Sequence, residues 1–267
     1  MMLENRNAVI HGGSGAIGSA VARAMAREGA HVVLVARTPS RLHAVARQIA
    51  DAGGSVETAW LDALDEQAVE GHVEALAARL GHIDIALNAV GIAHVQGTPL
   101  AQLSFDEYAL PLHAYTRTNF LTARAVARQM VKQRSGVIMT LSTPGSRIAG
   151  AGFMGYGAAC AAVEAMTRHL AGELGGHGVR VLCLRPDAIP EAQQHGTHAR
   201  EVFRQVAAHA GLGIDAMLAE RGRAATLLKR LPTLDEVAET AAFMASDRAG
   251  AITASVVNLS CGAMTEG

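Results

Sequence analysis

A short apolar run, Ala8-Val9-Ile10-His11, breaks into Gly12-Gly13-Ser14-Gly15-Ala16-Ile17-Gly18 and then into helical spacing at Ala20, Val21, Ala24 and Met25. Few folds accommodate that order. A strand must end in a tight turn, and a helix must start immediately after it. Gly13-x-Gly15-x-x-Gly18 fits the dinucleotide fingerprint in the context the fingerprint requires. Glycine serves here because the backbone has to approach a pyrophosphate with no Cβ in the way. The following helix then aims its unpaired N–H groups and positive dipole end at the anion.

The rest of the chain repeats this alternation. Short β-branched runs fall at Ala8–His11, His31–Ala36, Ser55–Leu61, Ile83–Asn88, Gly136–Leu141, Val179–Leu184 and Ser255–Leu259. Helical spacing fills the intervals at Ile17–Glu28, Pro39–Ala50, Asp65–Leu80, Tyr115–Gln133, Tyr156–Leu174 and Leu234–Ala245. Thr38-Pro39 reads as an N-cap with proline at the first helical position. Ser104-x-x-Glu107 and Thr233-x-x-Glu236 read as capping boxes. Gly29, Gly53, Gly81 and Gly175 stand where helices should stop. Apolar strands separated by helices predict an α/β fold: a Rossmann-like, doubly wound parallel sheet of about seven strands with helices on both faces. Ligands of such sheets bind at the C-terminal strand edge.

Composition narrows the functional classes. With 267 residues, no marked boundary and half the residues apolar, residues 1–267 are expected to form one catalytic domain. Basic and acidic residues balance at 23 and 24, without like-charge runs, so neither nucleic acid nor a membrane is the expected partner. No leader pattern opens the chain and no 18-residue apolar run crosses it. Cys160, Cys183 and Cys261 are too few and too scattered for a disulfide framework, which predicts ordinary thiols in the cytoplasm. The 12 histidines are dispersed, and His195-Gly-Thr-His198 lacks a carboxylate at ligand spacing, so no metal is expected. The stretch from His195 to Lys229 breaks the alternation. It is read as a substrate loop or lid within residues 190–230, with a pair of plain surface helices as the alternative. Gln193, Gln194, His195 and His198 give it a polar character.

These motifs resemble the short-chain dehydrogenase/reductase family over nearly the whole chain. The family's Thr-Gly-x-x-x-Gly-x-Gly stands here as His11-Gly12-Gly13-Ser14-Gly15-Ala16-Ile17-Gly18. Asp62 occupies the place of the aspartate that meets the adenine amine. Asn88-Ala89-Val90-Gly91 replaces Asn-Asn-Ala-Gly, and Pro186-Asp187 replaces Pro-Gly. The resemblance implies a cofactor held by Gly12, Ser14, Gly15, Ile17, Gly18, Arg37, Asp62, Asn88 and Pro186. Cofactor choice is set at the end of the second strand. A carboxylate there would bond the ribose hydroxyls of NAD(H), but the chain has Ala36, then Arg37, with Arg41 a turn on. Guanidinium groups suit a 2′-phosphate, so NADP(H) is expected over NAD(H).

The implied catalytic set is altered. Tyr156 aligns with the proton-transferring tyrosine, but the lysine of Tyr-x-x-x-Lys has become Cys160. Thirteen positions before Tyr156 lies Thr143, with Ser142 beside it as the other candidate for the orienting hydroxyl. The asparagine position falls at Tyr115 or Thr116, with Asn119 a turn away; the threonine that meets nicotinamide falls near Pro190 or Glu191. An ordinary tyrosine titrates near pH ~10, so only about one part in a thousand is phenolate at pH 7. That handicaps alcohol oxidation, which needs a base. Carbonyl reduction needs a neutral donor, which Tyr156 already is. A thiol at position 160 cannot replace the cation, leaving Lys132, Arg147 or a water network to stand in for it.

The expectation is therefore an NADP(H)-dependent oxidoreductase that reduces a ketone or related carbonyl, a small-molecule carbonyl or alcohol being its substrate. One alternative keeps the fold without redox turnover, as an isomerase, lyase or cyclase using Tyr156 with Asp187 or Glu191. Another is an NADP(H)-binding sensor. The small residues of Tyr156–Glu173, and the family's habit of pairing this helix and Tyr115–Gln133 across a dimer, imply a homodimer or homotetramer.

Overall fold

The computed structural model describes residues 1–195 and 198–265. Seven strands form one parallel sheet: β1 (Asn7–His11), β2 (His31–Ala36), β3 (Ser55–Trp60), β4 (Ile85–Asn88), β5 (Gly136–Leu141), β6 (Val179–Pro186) and β7 (Ser255–Leu259), in the order β3-β2-β1-β4-β5-β6-β7. The winding direction reverses between β1 and β4. At that reversal His11 pairs with Val35 on one side and with Asn88 on the other, so three strands end level around a crevice.

Helices α1 (Ala16–Arg27), α2 (Pro39–Asp51) and α8 (Leu234–Ala245) cover one face; α3 (Glu66–Leu80), α4 (Phe105–Gln133) and α5 (Met154–Leu174) cover the other. Apolar side chains that alternate along each strand feed the two layers. Ile10 and Leu34 pack on the first side, while Val9, Val33 and Val35 pack on the second, all essentially buried. Burying such side chains contributes roughly 1.5–3 kcal/mol each, so the double-sided layering defines the register. Helices α6 (His198–His209) and α7 (Ile214–Ala225) lie between β6 and α8 in sequence. The irregular stretch is thus largely a helix pair.

Two local expectations differ from the structure. Helix α4 begins at Phe105 instead of Tyr115. Pro111 interrupts the helical pattern in the sequence, but the complete capping box of Ser104 and Glu107 starts the helix six residues earlier. Pro111 is then buried on the α5 side, beside Gly155. Thr38 occupies the N-cap position of α2 but makes no side-chain cap bond; Pro39 alone preorganises that turn. The second capping box, Thr233 with Glu236, is complete. No described helix is long and apolar enough to cross a membrane.

His11 stands at the crevice, fully buried, and neither ring nitrogen has a hydrogen-bond partner among the described residues. Burial, aided by His72, pushes its pKa down to about 3. The folded protein therefore holds His11 neutral, whereas the unfolded chain protonates it below the ordinary histidine value near ~6.5. Between those two values the unfolded state binds the extra proton, so stability falls with falling pH, by up to about 1.4 kcal/mol per pH unit for one such group. His11→Thr is expected to flatten the acid limb of unfolding free energy against pH between about 6.5 and 3. An unchanged slope, measured by urea unfolding, would show that His11 does not carry it.

Candidate active site

The C-terminal strand edge holds a cavity of about 560 Å3 that runs from the end of β2, past the glycine loop, to helices α6 and α7. At one end the glycine loop is shaped by close approach. Gly12 has φ +79°, and a Cβ there would lie 2.3 Å from the Ala89 carbonyl oxygen; a Cβ on Gly18 would lie 2.4 Å from the Gly12 carbonyl oxygen. Gly15 is the N-cap of α1, with no side-chain cap and no acidic residue in the first turn. The first N–H groups of α1 are left for a ligand, and Gly12, Ser14, Gly15 and Ile17 line the cavity beside them. This donor set fits a dinucleotide diphosphate.

Arg37, Thr38 and Arg41 line the same end, with Asp62 facing them. Arg37 Nη1 lies 3.7 Å from Asp62 Oδ2, and both side chains are largely exposed. Asp62 Oδ1 also accepts from the Leu64 amide at 3.0 Å. Asn88 reaches along the floor, its Nδ2 donating to Thr122 Oγ1 at 3.1 Å and its Oδ1 accepting from the Val90 amide at 3.0 Å. Pro186 lines the wall where β6 ends. Gly18 does not line the cavity; it packs the loop from beneath.

Beyond Asn88 the cavity meets Tyr156, near the start of α5. Gly157 lets the helix approach the loop after β5, since a Cβ there would fall 2.6 Å from the Gly145 carbonyl oxygen. That approach brings Tyr156, Thr143 and Cys160 together: Thr143 Oγ1 lies 3.6 Å from Cys160 Sγ, and the Tyr156 hydroxyl has hydrogen-bond contact with both. Burial, then Cys160 and Tyr115, hold the Tyr156 phenol well above its ordinary pKa. The phenol is therefore neutral. Burial likewise pushes the Cys160 thiol up.

Ser142 is oriented otherwise. Its hydroxyl donates to the buried Glu164 at 2.7 Å, as does Ser146 at 2.6 Å, and Arg185 Nη1 stands 3.3 Å from both Glu164 oxygens. Tyr156, Cys160 and Glu164 follow one another at four-residue intervals on a single helix face, so the carboxylate lies below the thiol and clamps both ends of the loop bearing Thr143. Thr143, not Ser142, is thus presented to Tyr156.

Of the other residues singled out, Tyr115 lines the cavity and Thr116 does not; the Thr116 hydroxyl donates to the Leu112 carbonyl at 2.6 Å. Asn119 also lines it, with Nδ2 donating to the Tyr115 carbonyl at 2.9 Å. Neither Lys132 nor Arg147 lines the cavity, so neither stands in for the absent lysine. Asp187 does line it, but Arg221 Nε and Nη2 hold its two oxygens at 2.7 and 3.0 Å. Pro190 and Glu191 do not line it. Of the polar residues in the 190–230 stretch, His198 and Arg221 line the cavity, whereas Gln193 and Gln194 do not. Gln193 donates to Asp215, and the side chain of residue 195 lies outside the described residues.

No motif in the sequence pointed to His94, whose ring stacks on Tyr156 with centroids 4.4 Å apart. Its Nδ1 lies 2.9 Å from the Ile92 carbonyl and its Nε2 2.8 Å from Gln96 Nε2. The carbonyl must accept, so Nδ1 carries the proton and Nε2 accepts from the amide. Burial lowers the pKa of His94 and lowers that of His198 to about 4. The His198 ring rests on Gly91, where a Cβ would sit 2.0 Å from its Cε1.

A doubly wound sheet with an uncapped helix start at its reversal and a buried tyrosine beside the groove defines a nucleotide-dependent oxidoreductase. The chain belongs to the short-chain dehydrogenase/reductase family, an NAD(P)-dependent class of enzymes: residues 13–264 match the family model described as "Enoyl-(Acyl carrier protein) reductase". It is similar to tropinone reductase-like 2 of Erythroxylum coca, 30% identical over 249 residues that span 92% of this chain and 86% of the relative. D-threitol dehydrogenase of Mycolicibacterium smegmatis is 29% identical over 255 residues, 94% of this chain and 89% of that protein. Among solved structures, a gluconate 5-dehydrogenase from Burkholderia cenocepacia in complex with NADP and tartrate superposes with a TM-score of 0.84 at 24% identity, covering 98% of this chain and 96% of that one. An NAD+-bound xylitol dehydrogenase superposes with a TM-score of 0.88 at 22% identity, covering 98% and 100%. At those identities the two structures speak for the fold.

The buried clamp has a measurable consequence. Glu164→Ala leaves the Arg185 guanidinium buried without this carboxylate and frees both serine hydroxyls, which is expected to lower unfolding free energy by about 3–5 kcal/mol. Glu164→Gln keeps an acceptor for the serines and should lose less. Equal losses in chemical denaturation would show that the serine bonds contribute nothing to holding the loop.

Proposed function

We propose that the protein is an NADP(H)-dependent reductase of a ketone or related carbonyl compound. The observation that carries this reading is the shared contact of Tyr156, Thr143 and Cys160 where the dinucleotide groove opens into the cavity. Arg37 and Arg41, with Ala36 in the place of a carboxylate, favour a 2′-phosphate, and NAD(H) is the second choice. Bound NADPH supplies a hydride equivalent to the carbonyl carbon.

The chain's own groups do the rest. Tyr156 Oη holds a proton and donates it to the developing alkoxide oxygen; Thr143 Oγ1 hydrogen-bonds the same oxygen and aligns it. His94 keeps the Tyr156 ring in place by stacking on it. With a thiol in place of a lysine, no adjacent cation favours the phenolate, so reduction is the direction the site is built for. The alternative of proton transfer by Tyr156 with Asp187 or Glu191 has less support, because Asp187 is bound by Arg221 and Glu191 lies off the cavity. No observation among the described residues favours the sensor role over turnover.

Residues 1–267 act on this reading as one catalytic unit, with residues 190–230 as its substrate loop. Exposed Phe105, Phe120 and Met154 on α4 and α5 favour a homodimer or homotetramer built on that pair. Three free cysteines fit the reducing cytoplasm.

Turnover of a carbonyl panel with NADPH and with NADH side by side tests the reading. NADPH is expected to be preferred, and Tyr156→Phe should cut turnover by about a hundredfold or more while leaving NADPH affinity unchanged. Undiminished turnover in Tyr156→Phe would remove Tyr156 as the proton donor.

A further inference from the structure

Past Tyr156 the cavity continues between two walls. One is the segment after β5, which contributes Ile148 and Phe153; the other is the α6–α7 pair, which contributes Val202, Phe203, Val206 and Met217. The first wall is held by glycines: the Gly97 amide donates to the Gly152 carbonyl at 2.8 Å, and both residues have positive φ. That contact ties the strand-end segment carrying His94 to the segment carrying Phe153.

Several polar groups on this side already have partners. Both ring nitrogens of His94 are used, by Ile92 and by Gln96. The Tyr115 oxygen accepts a hydrogen bond from the Ile92 backbone, which leaves its own O–H as a donor. Asp187 accepts from Arg221 through both oxygens and from the Ala188 amide at 2.6 Å, so the acid and the guanidinium cancel as charges. The other lining cations, Arg37 and Arg41, stand at the far end beside Asp62. What remains directed at a ligand is Tyr156 with Thr143, together with the Tyr115 O–H and the His198 ring over Gly91, at one side of a largely apolar chamber.

We infer that the substrate is a neutral carbonyl compound on a predominantly apolar skeleton, a ring-bearing or branched ketone, and not a sugar, polyol or sugar acid. The inference rests on the reductase reading and adds to it the class of substrate. One compact polar cluster around Tyr156 matches a single carbonyl oxygen, and the six apolar side chains match a hydrocarbon body. A polyol would bring several hydroxyls against these apolar walls, which cannot replace the water the hydroxyls lose. A sugar acid would place a carboxylate where Asp187 already occupies the only nearby guanidinium among the described residues.

Isothermal titration of the protein loaded with NADP+ separates this inference from the redox reading, because the oxidised nucleotide lets a ketone bind without reacting. The probes are a series of 2-alkylcyclohexanones of increasing chain length, with xylulose and 5-ketogluconate as the competing classes. Affinity is expected to rise about fourfold for each added methylene that the chamber buries, with a negative heat-capacity change. Phe203→Ala should weaken the longer ketones about tenfold or more while leaving NADP+ affinity unchanged. Tighter binding of xylulose or 5-ketogluconate, an affinity independent of chain length, or no binding of any cyclohexanone would each overturn the inference. NADPH oxidation by the same ketones is followed in parallel. Ketones that bind but are not reduced would retire the reductase reading and leave the chamber's preference standing.

Discussion

The amino terminus of α1 opens onto the sheet reversal without a cap, and the rest of the site is arranged around that end. A side-chain cap or an acidic first turn would satisfy or screen the free N–H groups. Neither is present: the N-cap is Gly15, which has no side chain, and the first turn carries no acidic residue. The level ending of β1, β2 and β4 then places Arg37 on one side of that donor set and Asn88 on the other. Binding, orientation and chemistry are thereby strung along one edge.

The catalytic half depends on a different constraint, the distance between α5 and the loop after β5. Gly157 sets the approach and the Glu164 clamp fixes the loop's rotation, so that Thr143 faces the tyrosine while its neighbour Ser142 faces inward. A charged pair at this depth is a costly way to hold a turn, since both ions have lost water. Its gain is geometric, because two serine hydroxyls converge on one carboxylate oxygen. The substitution of lysine by Cys160 belongs to the same economy of burial: a small thiol fits against Tyr156, Thr143 and an alanine-rich helix face, and the tyrosine stays protonated.

Much of this was legible in the sequence, for identifiable reasons. Strand and helix periods gave the parallel sheet because its central strands, β1, β2, β4, β5 and β6, are largely buried and mostly apolar. The end of α4 was readable and its start was not, since Pro111 masks a helix that the capping box had already announced. Thr38 stands at the N-cap as the sequence suggested, but its side chain makes no cap bond. Spacing singled out Tyr156 and Thr143, which the fold brings into contact, while Ser142 and Thr143 could be told apart only by which way a loop rotates. The repeat Tyr156, Cys160, Glu164 was visible as one helix face, and a buried carboxylate there points to a partner such as Arg185. His94 left no signal, because its role comes from a loop fold joined through Gly97 and Gly152. The polar look of residues 193–198 was informative only in part, since His198 lines the cavity while most of the lining from α6 and α7 is apolar and lies further along.

The ionisation state of one phenol decides between a reductase and an enzyme equipped for oxidation. Ultraviolet difference spectra of the NADP+ complex, wild type against Tyr156→Phe, report that state directly as pH is raised. The account expects no phenolate absorbance from Tyr156 until the pH exceeds about 10, the ordinary tyrosine value. A phenolate signal attributable to Tyr156 near neutral pH would contradict it, and would mean that some other group supplies the missing positive charge.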